Sequence, residues 1–225
     1  MQRIVLPYIA PSVLIKAKNV EKSMDLFSRL LNERIVFVSG AIDINPETYY
    51  RYQGSNFITN DVASRVIAQI LYLQFQNKSQ DIHLYINSTG GAGLWAPLAI
   101  YDTMQFSPCE INTYCMGQVV GMAAVLLAGG AKGKRYALPN TRIMLHQPLD
   151  RMSGAASDIE IRAKEIKRQK RRMMEILAKH TGKSLEEIEK DADRDFYMSA
   201  KEAKEYGLVD EVIERLKSEK DDSKK

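Results

Sequence analysis

Residues 115–130, CMGQVVGMAAVLLAGG, decide how this sequence is read. The apolar run Ile111–Met116 meets Gly117-Gln118, and small apolar residues follow at once from Met122 to Ala128. The first half has the character of a strand, the second of a short helix in close contact with its surroundings. A strand that turns sharply into a helix displays one residue at the turn, where a hydrolase carries a nucleophilic serine. Here that residue is Gly121. Close helix–strand packing through glycine and alanine accounts for the same letters without any chemistry, and taken alone it is the simpler reading.

Working outward, DIHLYIN (Asp81–Asn87) reads as a strand closed by Ser88-Thr89-Gly90-Gly91, and RIVFVSG (Arg34–Gly40) as another strand. Leu26–Leu31 reads as a short helix and Leu98–Met104 as a helix. Asp61–Phe75 carries helical spacing through Val62, Val66, Ile67, Ile70, Leu71 and Leu73. Downstream, KRYALP and TRIMLHQP are extended, and a long helix covers about Asp158–His180. Ser157/Glu160, Ser184/Glu187 and Ser199/Glu202 have the spacing of capping boxes. Strands alternating with helices predict an α/β fold with a largely parallel inner sheet.

The chain divides into an irregular apolar arm over residues 1–22, one domain over 23–215, and a charged tail over 216–225 that cannot bury anything. The polar, tyrosine-rich Asn45–Asn60 reads as a long loop. With 225 residues, 45% of them hydrophobic, the core needs no staples. The net charge of +4 is too mild to imply nucleic acid or a membrane surface. Cys109 and Cys115 form no disulfide framework or metal spacing, which points to a reducing compartment, the cytoplasm ahead of a plastid stroma. No cofactor motif is found. Pro7 and Pro11 break the apolar start, so it is not read as a leader, and no run approaches the roughly 18 apolar residues of a membrane span.

Three strand ends carry candidate chemistry. The glycines of Asn87–Gly91 let backbone amides turn toward an anion, although glycines after strands are commonly plain turns. The amide of Met122, opening a helix, is a second such donor. His146 ends a strand and is a general-base candidate, or simply a hydrogen-bonded core residue. His83 alternates with Leu84 and is expected to face outward. His180 ends the long helix, where a cation complements the dipole. KRQKRR (Lys167–Arg172) lies on a helix whose apolar stripe runs through Ile159, Ala163, Ile166, Met173 and Leu177, so a solvated or subunit-facing side explains it better than nucleic acid. Met173 and Met174 are read as packing.

Together YINSTGG, IYDTMQF, CMGQVVGMAAVLLAGGAKGKRYALPNTRIMLHQP, SDIEIRAKEI and LAKHTGKSLEEIEKDADRDFYMSAKEAKEYGLVD resemble the proteolytic subunit family of Clp proteases, from about Arg34 to Ile213. The resemblance implies a crotonase-like α/β head with a protruding handle helix (about 147–183), heptameric rings stacked in pairs, and a serine-type triad. The triad histidine matches His146 and the aspartate Asp195, while the serine position is Gly121. The oxyanion donors match the amides of Gly91 and Met122. Arg194 matches the ring–ring contact, and Tyr85, Phe106, Tyr136 and Ile213 match the cleft that docks an AAA+ ATPase, with His83 in place of an aromatic residue. Against the family's S-P-G-G the chain has Ser88-Thr89-Gly90-Gly91. The following run, Ala92–Pro97, brings in the only tryptophan, Trp95, and Asp150–Ser153 replaces a glycine-rich turn. These departures imply a paralogue that has stopped cutting.

The leading expectation is therefore a proteolytically inactive subunit that assembles with active paralogues, handles unfolded polypeptide, and leaves ATP to the partner. A second is an active peptidase using Cys115 or a serine brought by a partner; Ser107 lies at the far end of a helix. A third is a crotonase-like acyl-CoA enzyme, which needs two oxyanion amides and no serine. A fourth is a homomeric barrel that only holds chains.

Overall fold

The computed structural model describes residues 11–17, 20–39, 60–90, 94–148 and 153–215. Its elements, in order, are β1 (Ser12–Ala17), β2 (Val20–Asp25), α1 (Leu26–Asn32), β3 (Ile35–Ser39), α2 (Asn60–Gln76), β4 (Ile82–Ser88), α3 (Trp95–Phe106), β5 (Ile111–Val120) and α4 (Met122–Ala128). Then come β6 (Arg135–Ala137), β7 (Arg142–Leu145), α5 (Ala156–Thr181), α6 (Leu185–Asp191), β8 (Phe196–Ser199), α7 (Ala200–Tyr206) and β9 (Glu211–Val212). Strands β3–β4–β5–β6–β9 lie side by side and parallel; β7 joins β5 in parallel and β8 pairs with β7 antiparallel. The predicted α/β fold with a largely parallel sheet is what forms.

The core follows from the strand alternation. Ile82, Leu84, Ile86 and Ser88 of β4 are wholly buried, and His83, Tyr85 and Asn87 face the other side half-buried. Every residue of α4 is buried, so the small residues seen in sequence place this helix at the centre of the molecule. Buried arginines tie the layers together. Arg34 donates to the carbonyls of Leu73, Asn77, Gln80 and Asp81, satisfying the end of α2. Arg135 grips Asp210 through Nε at 2.9 Å and Nη2 at 2.7 Å, and its Nη1 reaches the carbonyls of Ala128 and His180. That one side chain joins β6, the segment before β9, and the ends of α4 and α5.

Several expectations are corrected. The arm expected to be irregular over residues 1–22 enters an antiparallel pair from Ser12 on: β1 and β2 pair from Ser12↔Asp25 to Ala17↔Val20. Residues 1–10 and the charged tail from 216 lie outside the described residues, as does the Asn45–Asn60 loop except Asn60, which opens α2.

Strand β5 does not stop at Gly117. The pairing with β4 shifts from Ile86↔Cys115 to Ser88↔Val119, a bulge turned by Gly117 at φ 61°. The strand thus leaves β6 and re-pairs with β7 through Gln118–Val120.

Ser184/Glu187 and Ser199/Glu202 are reciprocal capping boxes, whereas Ser157/Glu160 is not. Helix α5 begins at Ala156, which puts Ser157 inside its first turn, with Ala155 at the cap. The buried residues of α5 are confined to Met173, Met174, Ile176 and Leu177, near its end, while Ile161 and much of the first half are exposed.

His180 is not a cation at a helix end. Its Nε2 is hydrogen-bonded to the Tyr101 hydroxyl at 2.8 Å, and burial first, then the charges of Lys179 and Arg135, bring its pKa down to about 4.

Candidate active site

Three strand ends meet. Gly121 follows β5, and its N–H donates to the carbonyl of Met144 on β7 at 2.9 Å. The β7–β8 ladder runs Arg142↔Ser199 to Leu145↔Phe196, and one step further puts His146 opposite Asp195. The end of β4 arrives beside the same turn: a Cβ on Gly90 would lie 2.8 Å from the Val120 carbonyl oxygen and 3.6 Å from the Met122 nitrogen. Ser88 Oγ accepts from the Gly90 amide and holds this close approach. Only glycine fits there.

The turn at Gly121 has φ 54° and ψ −117°. This is the strained conformation of a nucleophile elbow, where an L-residue sits only under compulsion. The imidazole of His146 faces it. A Cβ on Gly121 would stand 2.8 Å from His146 Nε2 and 3.1 Å from its Cδ2. On the other side of the ring, Nδ1 lies 3.7 Å from Asp195 Oδ1, beyond hydrogen-bond reach. The Asp195 side chain is 61% exposed and that of His146 31%.

The Gln147 side chain bridges the neighbouring segments. Gln147 Nε2 donates to the Asp193 carbonyl at 2.7 Å, and Lys170 Nζ, on α5, donates to Gln147 Oε1 at 2.8 Å. Met122 opens α4, whose first amides have no partner within the helix. Gly91 lies outside the described residues.

The other nucleophiles nominated from sequence are badly placed. Cys115 is wholly buried, and burial pushes its thiol up to about 12, so no thiolate forms at neutral pH. Ser107 follows α3, and its hydroxyl accepts from the Cys109 amide. Trp95, the first residue of α3, is strongly exposed.

The nominated docking residues fall into a partial set. Phe37, Tyr85, Tyr114 and Tyr136 occupy one row across β3, β4, β5 and β6, each paired in register with the next. Tyr85 stacks on Tyr114 at 4.4 Å and Tyr114 on Tyr136 at 5.0 Å. Ile213 joins the end of β6 through its amide on the Ala137 carbonyl. Phe106 ends α3, exposed, with no ring contact to this row among the described residues.

The centre of the row, Tyr114, was not nominated. Its only signal is the period-two alternation shared with Asn112 and Met116, hidden because all of Ile111–Cys115 is buried. His83 faces away from the core, as expected, but it is not free. Burial holds its imidazole below its ordinary pKa, and its Nδ1 lies 2.9 Å from the Tyr114 hydroxyl. Arg194 is almost fully exposed beside its neighbour Asp193.

A strand-to-helix elbow, with an imidazole at the adjoining strand end and a carboxylate opposite it, defines a hydrolase of the serine-triad class in framework, here with glycine at the elbow. The family model described as Clp protease matches residues 53–216, most of the chain, and the chain belongs to that family. It is by descent a Clp-type proteolytic subunit.

Proposed function

We propose that this chain is a non-cutting subunit of an ATP-dependent Clp protease, seated in heptameric rings with active paralogues. An AAA+ ATPase feeds unfolded polypeptide to the mixed barrel, and this subunit shapes the chamber or biases docking without attacking the chain. The reading rests on one observation: position 121 has no side chain, and the His146 imidazole stands in the space that one would fill. Acyl transfer needs an oxygen or sulfur nucleophile that a base can deprotonate. In subtilisin, loss of the serine alone costs about 10⁶ in kcat.

In this reading Met122 and Gly91 retain the oxyanion position, and His146 with Asp195 is an acid–base pair that has lost its task. Arg194 contributes to ring stacking, and Tyr85, Tyr136, Ile213 and Phe106 to an ATPase cleft altered by His83.

The test has two arms. A serine-directed fluorophosphonate probe should leave the native chain unlabelled while labelling an active paralogue in the same barrel. Native mass spectrometry of the co-expressed pair should show mixed rings. Labelling of this chain, or its recovery only in barrels of its own, would overturn the proposal.

A further inference from the structure

The elbow and the His146–Asp195 pair are close enough to be coupled through a single ring. Nε2 faces residue 121, and Nδ1, across Cε1 from it, faces Asp195. At present the ring leans toward the elbow. It sits 2.8 Å from where a Cβ would be, closer than any side chain there would tolerate. Its other nitrogen is 3.7 Å from the carboxylate, too far for a hydrogen bond. The gap does not come from separated backbones. Leu145 pairs with Phe196 in the β7–β8 ladder immediately before His146 and after Asp195, and the Gln147 side chain donates to the Asp193 carbonyl just beyond them.

We infer that the occupant of position 121 sets whether His146 and Asp195 are hydrogen-bonded. This rests on reading Gly121 as an emptied nucleophile position. With glycine the ring relaxes into the vacant volume and parts from Asp195. With any side chain at 121 the ring is driven back. Non-bonded heavy atoms rest at about 3.5 Å, so the ring retreats by about 0.7 Å. A retreat of the ring toward Asp195 narrows the 3.7 Å separation, which lies just outside hydrogen-bond range. His146 is thus a positioning device driven by the elbow residue. The Asp–His bond that orients the base in a serine triad would form here only when the nucleophile position is filled. Loss of the side chain at 121 therefore removes both the attacking atom and the alignment of its base.

The chain has three histidines, so ¹⁵N-histidine labelling gives three imidazoles to follow, with His146→Gln assigning one of them. The native chain should lack the strongly downfield Nδ1 proton of an imidazole bonded to a carboxylate, and Gly121→Ala should gain it. Alanine brings bulk and no nucleophile, so turnover plays no part. A native chain that cleaved peptide would end the non-cutting reading without touching this one. A downfield Nδ1 proton on His146 in the native chain, or none in a folded Gly121→Ala variant, would overturn the coupling. Should that variant fail to fold, Asp195→Asn serves in the otherwise native chain. No downfield Nδ1 proton should be present to lose, and such a proton seen in the native chain and abolished by Asp195→Asn would contradict an open pair.

Discussion

Two polar junctions in this molecule are built from strand ends, and they are finished differently. Around Arg135 the carboxylate of Asp210 accepts from both Nε and Nη2, and two helix-end carbonyls take the rest of the guanidinium. The arginine side chain is 8% exposed, and little of it is left without a partner. Around Gly121 the side chains are more exposed, the imidazole and carboxylate stand apart, and the elbow holds no side chain at all. The first junction is complete in the folded subunit. The second brings an imidazole and a carboxylate to the same elbow without joining them, and leaves both partly open to solvent.

The contrast can be broken or sharpened by substitution. Arg135→Ala leaves the half-buried Asp210 without its partner and should lower unfolding stability most, by about 3 kcal/mol in urea titration. A loss under 1 kcal/mol would show that this junction is not the structural one. Gly121→Ala should cost about 1–3 kcal/mol, because alanine must adopt a positive φ and displace the ring.

A smaller effect is expected from pH. His180 is held neutral, with its pKa brought down to about 4 from an ordinary 6.5. The unfolded chain therefore takes up a proton first as pH falls. Stability should decline through that window for the native chain, and less for His180→Gln, with no difference in slope above it. Parallel slopes would mean that His180 is not buried as described. The smallest effect is Asp195→Asn, an exposed carboxylate without a hydrogen bond to His146, whose change should stay within about 0.5 kcal/mol.

How far these two junctions were legible in the sequence differs in an instructive way. Helix α4 could be bounded residue for residue, because an unbroken small apolar run between Gly121 and Gly129 has only one way to be buried. The resemblance to the Clp family nominated His146 and Asp195, but nothing local in their segments reveals that β7 and β8 pair antiparallel and set them opposite.

Other features were out of reach for physical reasons. The continuation of β5 past Gly117 depends on a bulge and a change of partner strand, both non-local. The β1–β2 hairpin lay behind prolines that suggested an irregular arm. Ser157 carried the letters of a cap, yet the helix began before it. The Arg135–Asp210 junction, which spans 75 residues of sequence, left no trace at all.

The central claim is that glycine at position 121 leaves this subunit unable to cut. Its most direct test is hydrolysis of a short fluorogenic peptide by the purified native chain, beside His146→Ala and Gly121→Ser. The account predicts no turnover from the native chain or from His146→Ala, and turnover from Gly121→Ser. Turnover by the native chain that disappears in His146→Ala would contradict it, because another residue would then be the nucleophile.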